Sequence, residues 1–327
     1  MSIKIKLRYI PMIVVFGIII QISNPYTIYA LEAPEISEQE EFFRSVEAVT
    51  GVPWSIMAAV YKYETNIQKK DNGNPQFLSH KNLWGGLGNT EQGSMSPLVN
   101  AFYGGIGRDG SDDGLADSDN FYDIIYSLAL WVSTNGKNEQ EYIELFSELY
   151  NNEKAFKRIE QFTKIYQHFD TVDIKGNSFP IPLTYSYSYR STWGAGRSYG
   201  GYRMHEGTDI FARAWTPVKS TSYGVVEIKG WNKYGGWRVG IRDLNNVYHY
   251  YAHLAGYAKE LNEGDIVEAG QVIGYVGNSG YGPKGTTGRF PPHLHYGMYK
   301  DNGKNEWSFD PTPSLYRWER AEKQKKR

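Results

Sequence analysis

Five of the seven histidines in this 327-residue chain fall between positions 205 and 295. Their spacing says more than their number. His205-Glu-Gly-Thr-Asp209 sets an imidazole and a carboxylate four residues apart, Pro292-His293-Leu294-His295 sets two imidazoles two apart, and Tyr251-Ala-His253-Leu adds a third segment. In an extended strand, residues two apart share a face, so His293 and His295 can address one point from one strand. A hydrolytic zinc site needs three nitrogen or oxygen ligands and an open fourth position, where water becomes acidic enough to ionise near neutrality. His205, Asp209 and one histidine of the 293/295 pair meet that count. The other histidine, together with His253, would stand beside the metal to move protons and stabilise a developing oxyanion. Glu206 neighbours a ligand and points away from its face in an extended segment, so it reads as structural. His249 reads as partly exposed packing, and His80 and His168 as ordinary surface or core residues.

Composition narrows the alternatives. The chain has no cysteine, which excludes disulfide scaffolds, thiolate zinc sites and cysteine nucleophiles. With 35 Lys+Arg against 36 Asp+Glu there is no basic field for a phosphate backbone, so nucleic acid is not expected as a partner. Lys4, Lys6 and Arg8 precede an apolar run from Ile10 to Ile22, and Ala30 ends a candidate cleavage site. Residues 1–30 therefore read as a secretory signal peptide, and membrane contact is expected only through that segment if it stays uncleaved. Removing its three positive charges leaves 31–327 at a formal −4. Length gives about two domains and the signal segment a secreted protein, which is expected to be a monomer.

The elements that must position these residues come in two kinds. From about 31 to 170 the apolar residues recur at three and four, as in Phe42, Phe43, Val46 and Val49, and again in Phe156, Ile159, Phe162, Ile165 and Phe169, which predicts an all-α domain. Pro53 suits the first turn of a helix through Tyr63, and Gly136 a helix stop. From 184 to 327 short β-rich runs alternate with Gly, Asn and Pro, including Gly224–Ile228, Trp237–Ile241, Val247–Leu254, Gln271–Val276 and His293–Tyr299, which predicts a mostly β domain. Residues 171–183, with Gly176, Pro180 and Pro182, read as the linker. Arg317–Arg327, rich in basic residues, reads as a solvated helical tail.

The β half resembles the lysostaphin-type (LytM-like) zinc endopeptidases, which cut peptide bonds in bacterial peptidoglycan. The resemblance runs from His205-Glu-Gly-Thr-Asp-Ile through Thr216-Pro-Val, Tyr251-Ala-His-Leu, Glu263-Gly-Asp-Ile-Val-Glu-Ala-Gly-Gln, Gly277-Asn-Ser-Gly and His293-Leu-His to Asp310-Pro311. It implies an antiparallel β-sheet zinc peptidase domain with His205, Asp209 and His295 as ligands to one Zn2+, His253 and His293 as the catalytic pair, and Tyr199 assisting the transition state, with Tyr202 as a nearby rival. The Glu263 segment also resembles a corner of biotinyl carrier domains, but the Met-Lys-Met such modules carry is missing. In the helical half, Gly51-Val-Pro-Trp-Ser-Ile-Met-Ala-Ala-Val-Tyr-Lys-Tyr-Glu64, followed by Gly93-Ser-Met-Ser-Pro97, resembles a lysozyme-like lytic transglycosylase domain, with Leu98-Val99 where that family has Met-Gln. This implies Glu64 as a general acid in an apolar cleft. Asp109, Ser111, Asp113 and Gly114 partly fit a calcium loop, with Asn120 where a Glu is wanted.

The combination of signal segment, lysozyme-like half and zinc peptidase half is similar to that of sporulation endopeptidases. It implies hydrolysis of stem-peptide amide bonds, the L-Ala–D-Glu bond of spore cortex in particular, in the cell wall or the forespore intermembrane space. Two other readings stay open: a non-catalytic wall-binding or hydrolase-activating protein, and a bifunctional hydrolase with transglycosylase activity.

Overall fold

Among the described residues, the apolar spacing of the first half is realised as seven helices: α1 (Ile36–Thr50), α2 (Trp54–Ile67), α3 (Lys81–Gly85), α4 (Pro97–Phe102), α5 (Phe121–Asn135), α6 (Glu139–Tyr150) and α7 (Glu153–Phe169). The computed structural model describes residues 36–67, 81–89, 95–150, 152–198 and 201–325. The signal segment 1–30, His80, Gly93 and Tyr199 lie outside the described residues. Among those described, no helix is long and apolar enough to cross a membrane.

Local chemistry sets the helix ends. Pro53 precedes α2, and its carbonyl accepts the first turn's N–H from Ile56 at 3.0 Å. Asn120 caps α5 by accepting the Tyr122 N–H, and Gly136 closes it with its own N–H on Val132 O. Helix α7 buries Ile159, Phe162 and Ile165 against α2 and α6. Each such side chain contributes about 1.5–3 kcal/mol by leaving water.

The second half forms strands β1 (Tyr187–Tyr189), β2 (Gly196–Arg197), β3 (Arg203–Met204), β4 (Thr208–Ala212), β5 (Pro217–Lys219), β6 (Gly224–Asn232), β7 (Gly236–Arg242), β8 (Val247–Tyr257), β9 (Ile266–Val267), β10 (Val272–Val276), β11 (His293–Asp301) and β12 (Glu306–Phe309), then helix α8 (Thr312–Lys325). The main sheet is antiparallel in the order β1-β4-β11-β8-β7-β6-β9, with β10 pairing β5 and β8, and β12 pairing β11. Strands β2 and β3 make a separate hairpin.

Two apolar cores result. The helical one extends onto the sheet through Tyr223, Val225 and Leu244. The other lies under the main sheet, around Val239, Tyr251 and Tyr296, and takes in Phe179 and Ile181 from the 171–183 segment and Leu315 and Trp318 from α8. Helix α8 is therefore docked, where the basic run at 317–327 suggests a solvated tail. Its apolar residues fill the core, while Glu319 accepts the hydroxyls of Tyr187 and Tyr189, and Glu322 accepts Ser178, the Phe179 N–H and Lys219. The described basic residues Arg317, Arg320, Lys323 and Lys325 are exposed on the outward face. Helix and sheet meet at a buried charge cluster in which Glu227 of β6 holds Arg158 and Lys157 of α7 and Arg242 of β7.

Candidate metal centre

Strands β4 and β11 pair so that Asp209 stands directly opposite His295. Such cross-strand neighbours on one face bring their side chains together. His205 reaches the same point from the turn before β4, where Gly207 lets it approach. A Cβ on Gly207 would stand 2.7 Å from the His295 ring and 2.6 Å from Tyr296 O, so any side chain would strike the centre. His205 Nε2 lies 2.9 Å from His295 Nδ1, and Asp209 Oδ1 lies 3.1 Å from each of them.

This triangle is the only group of three or more metal-ligating side chains among the described residues. Its edges suit zinc, since ligands about 2.0–2.1 Å from a tetrahedral ion stand about 3.3 Å apart. The donor set of two imidazoles and a carboxylate is that of a hydrolytic zinc site, so the residues fit the metal.

The imidazoles are oriented by what they do with their other nitrogen. His205 Nδ1 donates to Thr192 O at 2.8 Å, His253 Nδ1 to Ser279 O at 2.8 Å, and His293 Nδ1 to Pro291 O at 2.7 Å. A carbonyl can only accept, so each ring carries its proton on Nδ1 and turns an Nε2 lone pair away from that bond. His295 is the exception and offers Nδ1 to the triangle. Arg197 of the β2–β3 hairpin holds Asp209 Oδ2 at 2.5 Å, which leaves Oδ1 for the centre. Burial would raise the Asp209 carboxyl, but its close contacts with the His205 and His295 imidazoles outweigh it and hold the group well below the usual carboxylate range. Burial keeps His295 low as well.

His253 enters by a route that strand alternation alone does not provide. Along β8, Tyr251 faces the core and Ala252 lies opposite His295, so strict alternation would send residue 253 to the core face. Between the pairs Trp237↔Leu254 and Val239↔Tyr251, β8 uses one residue more than β7, and His253 has φ 61°. This bulge, with a left-handed residue in it, re-aims the side chain into the cleft. There its ring lies 4.7 Å from His293 and 5.9 Å from His295, centroid to centroid. Burial, with His293 and His295 beside it, pushes His253 down to about 3, so it is an uncharged imidazole at neutral pH.

All five residues singled out by spacing thus line one cleft of about 230 Å3. Tyr202 is 90% exposed. Glu206 accepts the Tyr299 hydroxyl at 3.1 Å, a structural bond as its sequence position suggests. His249 is a correction: it is 1% exposed and faces the core, because it sits on the regular part of β8 before the bulge. Glu64 lies in the helical half, 1% exposed, where it accepts the Tyr150 hydroxyl at 2.7 Å. Asp109 accepts backbone N–H groups of Asp112, Asp113 and Gly114, so the suspected calcium loop is closed by its own amides. Two groups escaped sequence reasoning: Tyr281, stacked on His253 at 5.4 Å, and Arg197. The Gly277-Asn-Ser-Gly motif, which runs directly into Tyr281, was the available signal for the first.

Residues 203–311 match the model of peptidase family M23. The chain is 48% identical to the L-Ala–D-Glu endopeptidase of Bacillus subtilis, over 91% of this chain and 93% of that one. It is 34% identical to lysostaphin of Staphylococcus simulans over 40% of this chain and 26% of that one. The solved catalytic domain of lysostaphin from the same species superposes with a TM-score of 0.32 at 31% identity, covering 41% of this chain and 93% of the domain. On the near-full-length match and the family match, this chain belongs to peptidase family M23, as a zinc-dependent metallopeptidase that cleaves peptidoglycan.

Proposed function

We propose that the chain hydrolyses the L-Ala–D-Glu bond of peptidoglycan stem peptides, with His205, Asp209 and His295 holding zinc and His253 and His293 handling protons. The observation that carries the choice of bond is the near-full-length likeness to an endopeptidase named for it, which extends through the helical half and not the β half alone. The donor triangle and the two further imidazoles beside it support the residue roles.

Zinc bound there supplies Lewis acidity, which polarises a carbonyl and acidifies water. The protein does the rest. His253, uncharged and with Nδ1 committed to Ser279 O, keeps Nε2 as a proton acceptor within the cleft. His293, fixed in the same way through Pro291 O, stands beside it with its own Nε2 lone pair; once that nitrogen has taken a proton from the attacking water, the ring can donate it to the tetrahedral oxyanion or to the leaving amine. Tyr281 and Phe290 wall the site with aromatic surface that limits water. Tyr199, six residues before His205, is proposed as an aid to the transition state.

The helical half, residues 31–170, joined through 171–183 to the peptidase domain, serves in this reading as a lysozyme-like scaffold. Glu64 is bound into its core by Tyr150. Export through residues 1–30 places the enzyme at the wall, in the cortex of a sporulating cell. Mass spectrometry of spore-former peptidoglycan digested with residues 31–327, with and without a zinc chelator, tests the proposal. New D-glutamate amino termini that vanish with chelator are expected. D-alanine or diaminopimelate termini would overturn the bond, and anhydromuramic ends that survive chelation would make Glu64 an active residue.

A further inference from the structure

The metal cleft continues along the sheet. Tyr250 and Tyr299, which wall it beyond His295, also wall a second hollow of about 440 Å3, whose lining includes Arg238, Tyr248, the carboxylates Glu227 and Glu306 and, from the helical half, Lys157. Register places Arg238 in line with the centre. Asp209 stands opposite His295, His295 opposite Ala252, and Ala252 faces the stretch of β7 between Trp237 and Val239. Strands lie about 4.8 Å apart, so the Arg238 backbone stands about two spacings, roughly 10 Å, beyond that of His295, while its guanidinium meets the Tyr250 phenol, whose ring lies 5.9 Å from the His295 ring.

The charges around the hollow leave one cation over. Glu227 is met by Lys157 at 3.0 Å, Arg158 at 2.5 Å and Arg242 at 3.0 Å, and Glu306 by the other arm of Arg242 at 2.7 Å. Arg238 makes no ion pair among the described residues. It hydrogen-bonds the Tyr250 phenol, and its Nε is buried without a hydrogen-bond partner. The cleft's other arginines are engaged, Arg197 on Asp209 and Arg203 over the Tyr234 ring at 5.0 Å. A planar guanidinium kept on a groove wall without a carboxylate is completed by a ligand that brings one, through paired charge-assisted hydrogen bonds.

We propose that Arg238 anchors a carboxylate subsite of the substrate groove and selects stem peptides whose D-glutamate keeps its α-carboxylate free. The proposal rests on the L-Ala–D-Glu reading, because D-glutamate linked through its side chain leaves that carboxylate beside the scissile bond, and amidation to isoglutamine removes its charge.

The test is calorimetric binding of the zinc-loaded full chain to γ-D-Glu–L-Lys–D-Ala and to its α-amide, both of which lack the L-Ala–D-Glu bond and are not cut there. The acid should bind about tenfold or more tighter than the amide. Arg238→Gln should erase that ratio, Arg238→Lys keep part of it, and Arg203→Gln leave it intact, with thermal midpoints showing that each variant folds. Equal or undetectable binding of the two peptides, or a ratio that survives Arg238→Gln, overturns the subsite. Cleavage at another bond with the acid-to-amide ratio intact would instead overturn the choice of bond and leave the subsite standing.

Discussion

Two polar clusters built on histidine, one around His249 alone and one around the cleft imidazoles, lie on opposite faces of the sheet, and their rings spend their nitrogens differently. On the core face, His249 uses both: Nδ1 meets Tyr296 Oη at 2.8 Å and Thr221 Oγ1 at 3.1 Å, and Nε2 meets Asp243 Oδ2 at 3.1 Å. Nothing is left over for a ligand. On the cleft face, His205, His253 and His293 each give one nitrogen to a backbone carbonyl and keep the other. A satisfied network fixes a core, whereas half-committed imidazoles that converge make a site. His249 and His253 sit four apart on one strand, so the distinction lies in the bulge between them and not in residue type.

The largest effect should come from the triangle. His205→Ala, Asp209→Ala or His295→Ala should abolish zinc binding and lower cutting by more than about 10⁴-fold, beyond what a lone proton-transfer group contributes, with the circular dichroism spectrum unchanged. A variant that keeps both zinc and activity would remove that residue from the ligand set. Next in size, His253→Asn should retain zinc, because the ring is not in the triangle, and lose about 10²–10⁴-fold in kcat. Asparagine tolerates the left-handed backbone at this position, so the test reads the imidazole and not the strain. Metal analysis beside kcat separates the two outcomes.

On the core face the same kind of change should do the reverse. His249→Phe leaves Asp243 Oδ2 buried without its partner, so stability should fall by about 3–4 kcal/mol while zinc content and kcat/KM hold. Denaturant unfolding beside a cleavage assay checks it. A loss of activity at unchanged stability would mean that the two faces are coupled.

How far the sequence went follows from the same contrast. The change from a 3.6-residue to a two-residue period near 171 was readable because each half buries its own apolar face. Four of the cleft residues were readable because their spacing, two and four, matches what strands and the turn before β4 can bring together, whereas His253 was reached through its Tyr251-Ala-His-Leu segment, since alternation alone would turn it to the core. The burial of His249 was not, since strand parity is defined only once a bulge is located, and that depends on the partner strands β7 and β10. Arg197 was hidden because its link to Asp209 crosses a turn whose shape no periodic pattern encodes. The docking of α8 was hidden behind its charges, as only Leu315 and Trp318 mark its inner face.

The smallest expected effect concerns a third polar cluster, the charged seam where α7 meets β6 and β7. Burial alone would raise the Glu227 carboxyl, yet Arg242 and Arg158, with Lys157 beside them, hold it down at about 2. A folded-state value below the ordinary 4.5 means that the unfolded chain takes up the proton first as pH falls. The stabilisation is therefore fully present above about pH 4.5 and is lost as pH falls through about 2, and it amounts to about 3 kcal/mol. Glu227→Gln, which cannot titrate, should flatten the loss of stability across that window by about this amount, read from denaturant midpoints at a series of pH values. If the seam is structural in the way the His249 network is, zinc content and cutting at neutral pH will match the parent once the variant is folded. If cutting falls while zinc stays bound, α7 contributes to substrate binding through the hollow that Lys157 and Arg238 share, and the helical half is part of the active surface.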